Sequence, residues 1–529
     1  MFIKKVMIRN FKCFEKFDID FNDNINIIVG NNNEGKSTIF EAIHLALTGS
    51  INGKSVFNDI SASLFNKKIV DDYISKIQQG QICTPPRIEI QVFFTDNVNN
   101  DYYLGNNNFL KSSEMGVKLD ISLSEDCVEE YKEYIREREL VKSLPIEFYQ
   151  AHWYSFDDNP VSKQGIPVKS NYIDIASTRY INIPDKQVLD IVEDVFDLKD
   201  KTNLTLAYRK LKEQFTSNER IDLLNQKIDE KYGSFSQKKV SLNIEVSSRV
   251  NWESNFTTYF DDIPFSMIGK GEQTAFKIKM ALNSQNDKCN VILIEEPENH
   301  LSYSNMSKLI DEIIALCPNY QIIISTHSNY VLNKLNVNRV ILLQNCEKCL
   351  LNTIESSTVE YFKKIPGYDT LRLILSKKVF LVEGPSDELI IQKLYLQKYG
   401  KLPIEDGVDI ISVRGTSFAR FLDIAKNLKT KVFVIPDNDG KVDKMKEKYS
   451  KYVNENIKLL MSEDNDLYTL EKIVVENNDF DQLKSIINPN KNNKEELLDY
   501  MIENKTEWAL KAFENDFTLN YIKEVYDEL

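Results

Sequence analysis

The stretch GNNNEGKST, Gly30 through Thr38, fits the spacing G-x-x-x-x-G-K-[ST], a loop that cradles phosphates. Its backbone amides and the start of the following helix point at the anion. Lys36 has the reach for β- and γ-phosphates, and Ser37 suits Mg²⁺. Gly30, Asn31, Asn33, Gly35 and Thr38 complete the cradle. Complementary acids lie far downstream, where VILI runs into Glu295 and Glu296. Carboxylates at the C-terminal end of a strand stand where α/β sheets bind ligands. Glu295 is placed on the metal, and Glu296 on polarising the attacking water. His327, after QIIIST, can sense a γ-phosphate. In IGKGEQ, Gly269, Lys270 and Gly271 precede a helix with Gln273 in its first turn. Glycine there lets backbone amides approach a phosphate.

A second group is wholly acidic. KKVFLVEGPSDELIIQKL puts Glu383 at a strand end and Asp387 about one turn into a helix opened by Pro385. TKVFVIPDNDGK ends another buried strand in Asp437, Asn438 and Asp439. Carboxylates at adjacent strand ends repel one another. Divalent cations with hard oxygen ligands, Mg²⁺ or Mn²⁺, relieve this. Two such ions clamp the attacking and leaving oxygens of a phosphodiester.

The elements that must position these groups are readable. FIKKVMIRNF and FDIDF are strands, the second alternating with period two. NINIIVG is a buried strand ending on Gly30, and STIFEAIHLALTG a helix closed by Gly49. IEIQVFF and NYIDIASTRYINIP are further strands, with Arg179 a nucleotide or interface candidate. From Asp185 to Gly233 the period turns helical, through Val188, Ile191, Val192 and Val195, then Leu211 with Phe215 and Leu224 with Ile228. Either a lid on its own head or an antiparallel dimerising arm fits, and the arm is the favoured expectation. Beyond Asp439, Val442, Met445, Tyr449 and Tyr452 make an apolar helical stripe. Lys441, Lys444, Lys448 and Lys451 make a basic one beside it, which is either a DNA contact or a solvated face.

Bulk properties bound the function. The 529 residues are 42% hydrophobic, ample for real cores, and carry a net charge of −14. That charge argues against bulk attraction to nucleic acid and confines any DNA contact to a local basic groove. No apolar run approaches the ~18 residues of a membrane span. MFIKKVMIRNFKCF has no export h-region, so no membrane partner is expected and the expected location is cytoplasmic. The C-x-x-C of Cys346 and Cys349 lacks the second pair or nearby histidines of a zinc site, and reduced thiols are expected.

Taken together, IRNFKCF, the phosphate loop, GKGEQ, Glu295 with Glu296, and His327 resemble the ABC-type ATPase heads of the SMC, RecF and OLD proteins. The two glutamates correspond to Walker B, Asn299–Ser302 to the D-loop, His327 to the switch histidine and GKGEQ to the signature. The resemblance implies ATP, and a homodimer or higher homo-oligomer in which one subunit's signature closes on another's ATP. Two positions depart from the pattern. Glu295 stands for the usual Asp, and the signature lacks its Ser. Lys270 is then the expected reach to the partner's γ-phosphate. The order E-G-x-x-D … D-x-D, with ISVRGTSF between, resembles a Toprim domain. Toprim behind an interrupted ABC head resembles the OLD (overcoming lysogenisation defect) nucleases. Residue by residue this implies Glu383, Asp387, Asp437 and Asp439 as metal-binding and catalytic. It adds Glu471 in DLYTLEKI as a further acidic ligand, and Lys505 in NKTEWALKAFE as a lysine stabilising the pentavalent phosphate.

The expected fold class is α/β: an ABC-type ATPase head with a long, partly helical insertion, then a Toprim domain with a Rossmann-like parallel sheet and a helical C-terminal region. Boundaries are expected at 1–184 (N-terminal lobe), 185–240 (helical dimerisation insertion), 241–375 (C-terminal lobe) and 376–529 (Toprim with its extension). The implied activity is ATP-regulated, Mg²⁺- or Mn²⁺-dependent cutting of DNA in defence against bacteriophage. The protein would work alone, beside a helicase, or beside a reverse transcriptase with its retron DNA. The rival expectation is an ATP-gated DNA clamp or sensor of the SMC/RecF type whose Toprim centre does not cut.

Overall fold

The computed structural model describes residues 1–51, 54–56, 60–95, 101–138, 141–174, 196–232, 259–283, 289–316, 320–335, 337–344, 346–351, 354–415 and 417–529. The chain opens with a hairpin of β1 (Ile3–Phe11) and β2 (Phe14–Asp20), where Phe11 pairs with Phe14 across the turn. It then leaves for a second sheet through β3 (Ile25–Gly30). The other edge of β1 is extended antiparallel by β4 (Ile88–Phe94), β5 (Glu114–Leu123) and β6 (Tyr149–Ser155).

The second sheet carries the nucleotide motifs. Its order is β7 (Lys169–Asp174), β8 (Cys289–Glu295), β9 (Gln321–Ser325), β3, β10 (Val340–Gln344) and β11 (Glu347–Leu350). All but β11 run parallel. Parallel strands covered on both faces need continuous apolar side chains, which INIIVG and QIIIS supply, and every residue of β3 and β9 is buried. The phosphate loop leads from β3 into α1 (Lys36–Thr48). Gly49 ends that helix at φ 67°, with its N–H on Leu45 O.

The expected insertion helices are present as α2 (Leu198–Thr216) and α3 (Glu219–Tyr232). Leu211, Phe215 and Leu224 are 61%, 51% and 49% exposed, so these side chains do not pack on the head as a lid would. Arg179, Val188, Ile191, Val192 and Val195 lie outside the described residues. α4 (Lys270–Asn283) carries the GKGEQ stretch, and Lys270 and Gly271 already belong to its first turn.

The third sheet is parallel throughout, in the order β13 (Val408–Ser412), β12 (Lys378–Val382), β14 (Lys431–Ile435), β15 (Ile457–Leu459). It is reached through the short helix α5 (Thr370–Leu375). α6 (Pro385–Tyr399), α7 (Val442–Tyr449), α8 (Leu470–Asn477) and α9 (Lys505–Glu514) follow. Among the described residues no helix is long and apolar enough to cross a membrane.

The second and third sheets share one hydrophobic core. Ile27, Ile292 and Ile324 continue through Leu371, Leu373 and Ile374 of α5 to Val379 and Val432. A polar joint reinforces it. Arg372 of α5 grips Asp409 of β13 with two nitrogens, one at 3.1 Å, and donates to Ile410 O at 3.0 Å. The Asp409 side chain is only 8% exposed. Arg372→Met would leave that carboxylate buried without its partner, and a loss of about 3 kcal/mol is expected in urea unfolding of the whole chain. Adding Asp409→Leu should restore most of the loss. Equal losses in the single and double variants would show that the pair is not the joint.

Candidate functional site

The nucleotide motifs converge on a cleft of about 630 Å³, lined by Lys12, Cys13, Asn33, Gly35, Lys36 and Ser37 among others, with Glu295 and Glu296. Adjacent strands explain this: β3 delivers the loop, and β9 separates it from β8 and its glutamates. Gly35 sits at φ 95°, and a Cβ there would lie 2.5 Å from the Phe14 ring, so only glycine lets the loop turn against β2. Lys36 is buried, and its Nζ donates to Gly30 O at 2.7 Å and Asn31 O at 3.0 Å. Burial lowers its pKa, opposed by the charges of Glu296 and Glu295. Ser37 Oγ donates to Glu295 Oε1. Tyr172 of β7 donates to the other oxygen of that carboxylate at 2.5 Å. A serine hydroxyl and a buried carboxylate in contact at the mouth of a phosphate loop suit a nucleotide-bound Mg²⁺.

Glu296 turns the chain at φ 47°. It accepts from Asn299 Nδ2 at 2.7 Å and stands 3.5 Å from His327 Nε2. Burial and the charge of Lys36, opposed by Glu296, lower the pKa of His327. Its backbone is fixed by Glu298, which accepts from His327 N at 2.6 Å and Thr326 Oγ1 at 2.9 Å. Gly269 has open space around it, whereas a Cβ on Gly271 would lie 2.3 Å from His300 O. The helix that carries GKGEQ thus packs directly on the Asn299–Ser302 turn. Lys270 is exposed beside it.

The acidic group forms at the ends of β12 and β14, which pair Val382 with Ile435 and so bring Glu383 level with the D-x-D turn. Asp387, buried in the first turn of α6, accepts from Gly384 N at 3.0 Å. Glu471, in the first turn of α8, is 3% exposed. Burial pushes Asp437 up to about 8, helped by the charges of Asp387, Glu383, Glu471 and Asp439. Burial likewise pushes Asp387 up to about 7, with Glu383 and Glu471 adding to it. The four acids expected from the two motifs and Glu471 therefore share one field. The group's chemistry, hard oxygen donors repelling one another, fits a divalent cation. Among the described residues no three of them are gathered at the spacing of a finished metal cage. Lys505 is exposed at the start of α9.

Residues 1–332 match the family model described as an AAA ATPase domain. Residues 374–439 match the one described as an overcoming lysogenization defect protein-like TOPRIM domain. The chain belongs to the AAA ATPase domain family over residues 1–332, joined to an OLD-like TOPRIM domain. Endonuclease GajA of Bacillus cereus (strain VD045) is 23% identical over 480 residues, covering 84% of this chain and 76% of that protein. An ATP/GTP phosphatase of Helicobacter pylori is 23% identical over 347 residues, covering 62% of this chain and 85% of that one. A solved structure of the recombination mediator RecF with ATP covers 66% of this chain and 99% of its own, at 11% identity and a TM-score of 0.36.

Three residues of these sites escaped the sequence reading. Tyr172 lies on a strand that was recognised, but nothing local ties it to Glu295. Glu298 stands inside the E-E-P-E run, and its carboxylate acts only because β9 returns beside it. Tyr521 is partly exposed as a residue, but its hydroxyl is enclosed. Burial and the charges of Asp387, Asp437 and Glu471 raise its pKa well above the usual phenol range, so it stays a donor.

A pH test follows from Asp437 and Asp387. Unfolded carboxyls titrate near ~4, so between about pH 4 and 8 the folded chain keeps protons that the unfolded chain has lost. Metal-free stability should then fall as pH rises through that window and level off above it. A cation must displace those protons. The rise in melting temperature on adding Mn²⁺ should therefore be larger at about pH 8 than at about pH 6; Asp437→Asn should shrink the difference, and Asp437→Asn with Asp387→Asn should remove it.

Proposed function

We propose that this chain is an ATP-regulated, divalent-metal-dependent DNA endonuclease acting in defence against bacteriophage. The observation that carries the reading is the convergence of Glu383, Asp387, Asp437, Asp439 and Glu471 from the ends of β12 and β14 and the first turns of α6 and α8, close enough that the other four acids act on Asp437. It is supported by similarity to a relative whose name is an endonuclease. The five acids would hold two ions of the Mg²⁺ or Mn²⁺ class, which supply a nucleophilic water and a clamp on the leaving oxygen. Tyr521 would stand near the acids as a protonated phenol, and Lys505 is the proposed charge for the crowded phosphate. DNA would lie along Lys441, Lys444, Lys448 and Lys451, all exposed, while Val442, Tyr449 and Tyr452 are buried and Met445 packs on the core beneath them.

Lys36, with the loop from Gly30 to Thr38, would hold the ATP phosphates. Ser37 and Glu295 would hold its Mg²⁺, Glu296 would orient water, and His327 would read the γ-phosphate. Met267, Ile263 and Tyr303 are exposed around the signature, in keeping with a second head closing there and Lys270 reaching its ATP. The exposed Leu211, Phe215 and Leu224 suit a homodimer through the arms. A route from nucleotide to nuclease lies in α5. Leu371 N donates to Asn329 Oδ1 at 2.7 Å, two residues beyond His327, and Arg372 of the same helix holds β13. At the far end of β13, Gly415 N donates to Glu383 O at 2.9 Å.

One observation favours a second reading. The acids are not yet gathered as a cage, which also suits an ATP-gated clamp that does not cut. Plasmid incubated with Mg²⁺ or Mn²⁺, with and without ATP, separates the two. Wild type should cut, and Glu383→Ala should abolish cutting. Lys36→Ala and Arg372→Met should keep the chemistry while losing the response to ATP. A wild type that cuts under no condition, yet retains DNA when ATP is present, is the clamp.

A further inference from the structure

The residue between the two aspartates of the D-x-D turn is more deeply buried than either. Asn438 is 2% exposed. Its Nδ2 donates to three backbone carbonyls of one loop: Ser462 O at 3.0 Å, Asp464 O at 3.0 Å and Leu467 O at 3.1 Å. Its Oδ1 accepts from Gly440 N at 2.8 Å. That last bond closes a tight turn in which Asp439 takes φ 50° and Gly440 φ 68°, a conformation that aspartate and glycine tolerate better than most residues.

The loop so held is the one that delivers Glu471. β15 pairs with β14 through Leu459, and Leu460 N still reaches Val434 O at 2.8 Å. Beyond it the strand ladder ends. From Ser462 to Leu467 the chain turns on itself, with Asp464 N on Ser462 Oγ at 3.2 Å and Leu467 N on Asp464 O at 3.2 Å. Thr469 then caps α8, accepting from Lys472 N, and Glu471 lies in that first turn. The Asn438 amide thus ties the turn bearing Asp437 and Asp439 to the loop that sets the start of α8. The two N–H groups of this buried amide serve three carbonyls, one of them shared, while Oδ1 holds the turn, and removing the amide frees both sides at once.

We infer that Asn438 is a positioning residue: it fixes Glu471 against Asp437 and Asp439 and so sets the affinity of the acidic centre for its divalent cation. This rests on the metal-centre reading above. Asn438 touches neither metal nor DNA in this role. It acts through the carboxylates, as outer partners of metal ligands do.

The test is calorimetric titration of full-length protein with Mn²⁺, without DNA, for wild type, Asn438→Ala, Glu471→Gln and the double variant. Asn438→Ala should bind Mn²⁺ roughly tenfold to hundredfold more weakly. In the Glu471→Gln background the same change should cost little more, because its effect passes through Glu471. Binding of a fluorescent ATP analogue should be unchanged and reports an intact head. If the alanine variant fails to fold, Asn438→Ser, which keeps one donor, is read in its place. Unchanged Mn²⁺ affinity in the single variant overturns the inference. So do losses that multiply in the double, which would mark a staple with no special link to Glu471. A wild type that binds no Mn²⁺ overturns the metal-centre reading as well, whereas a protein that binds Mn²⁺ but does not cut overturns only the nuclease reading.

Discussion

Carboxylates brought together at one end of a parallel sheet repel, and the C-terminal half of the molecule is arranged around that repulsion. Salt bridges could hold the surrounding chain, but a cation among the acids would cancel the charge that makes them useful. Next to the acids the structure uses neutral amides and backbone carbonyls, with ion pairs such as Lys446–Glu463 and Lys494–Glu476 further out at the surface. Gln397 of α6 exchanges two hydrogen bonds with Leu519, at 2.9 and 3.2 Å, and Asn478 exchanges two with Asn520, at 2.7 and 2.8 Å. These clamps act on consecutive residues just before Tyr521. They come from α6, which bears Asp387, and from the C-cap of α8, which bears Glu471. Lys393, buried in α6, donates its ammonium to Asn515 O at 2.7 Å. The one lysine buried in that helix is thereby engaged by a carbonyl on the same segment.

The same economy governs how the two lobes meet. A continuous apolar core from β3 to β12 resists separation, but apolar contact is non-directional and carries little information about state. Among the directional contacts, those of α5 reach from the phosphate loop to the third sheet. Asn31 of the phosphate loop reaches Leu375 O at 3.4 Å. Asn329 accepts from Leu371 N, and Arg372 holds Asp409. A space of about 350 Å³ remains there, bordered by Asn31 and His327 on one side and by Asp409 and Gly407 on the other. A short helix held by polar bonds beside a cavity can shift against its neighbours at less cost than one packed on all sides.

What was legible in the sequence and what was not divides by range. The phosphate loop, its strand and its helix are contiguous, so pattern and element confirm each other. Glu295 and His327 were legible because each ends an unmistakable apolar run. Glu383, Asp387, Asp437 and Asp439 were legible for the same reason, with Pro385 marking the helix start. Tyr172 meets Glu295 across 123 positions, and no local rule links them. Asn438 was in view between two flagged aspartates, yet its partners are bare backbone carbonyls, which leave no mark in side-chain identity. The C-x-x-C pair shows the converse. Cys349 gives its thiol to Asn427 O at 3.5 Å, while Cys346 leans on Cys13. Residues close in sequence on the β10–β11 hairpin thus face different neighbours.

The phosphate loop looks like a fuel port only while it is read alone. Hydrolysis of a phosphodiester is downhill, so a nuclease centre lacks no energy that ATP could add. On the proposed reading the nucleotide's work is to change which arrangement of the lobes is populated. A ligand does this only by binding one arrangement better than another, and a full reversal of a lopsided equilibrium needs about 10⁴-fold discrimination. A single cleft that closes on phosphates through one lysine and a loop of amides gains little of that discrimination from α5 alone. Two heads closing signature against loop would gain contacts in one arrangement that are absent in the other. Lys36 and Ser37 would then supply the grip, the second subunit the difference in affinity, and Arg372 the means by which that difference is felt at Glu383.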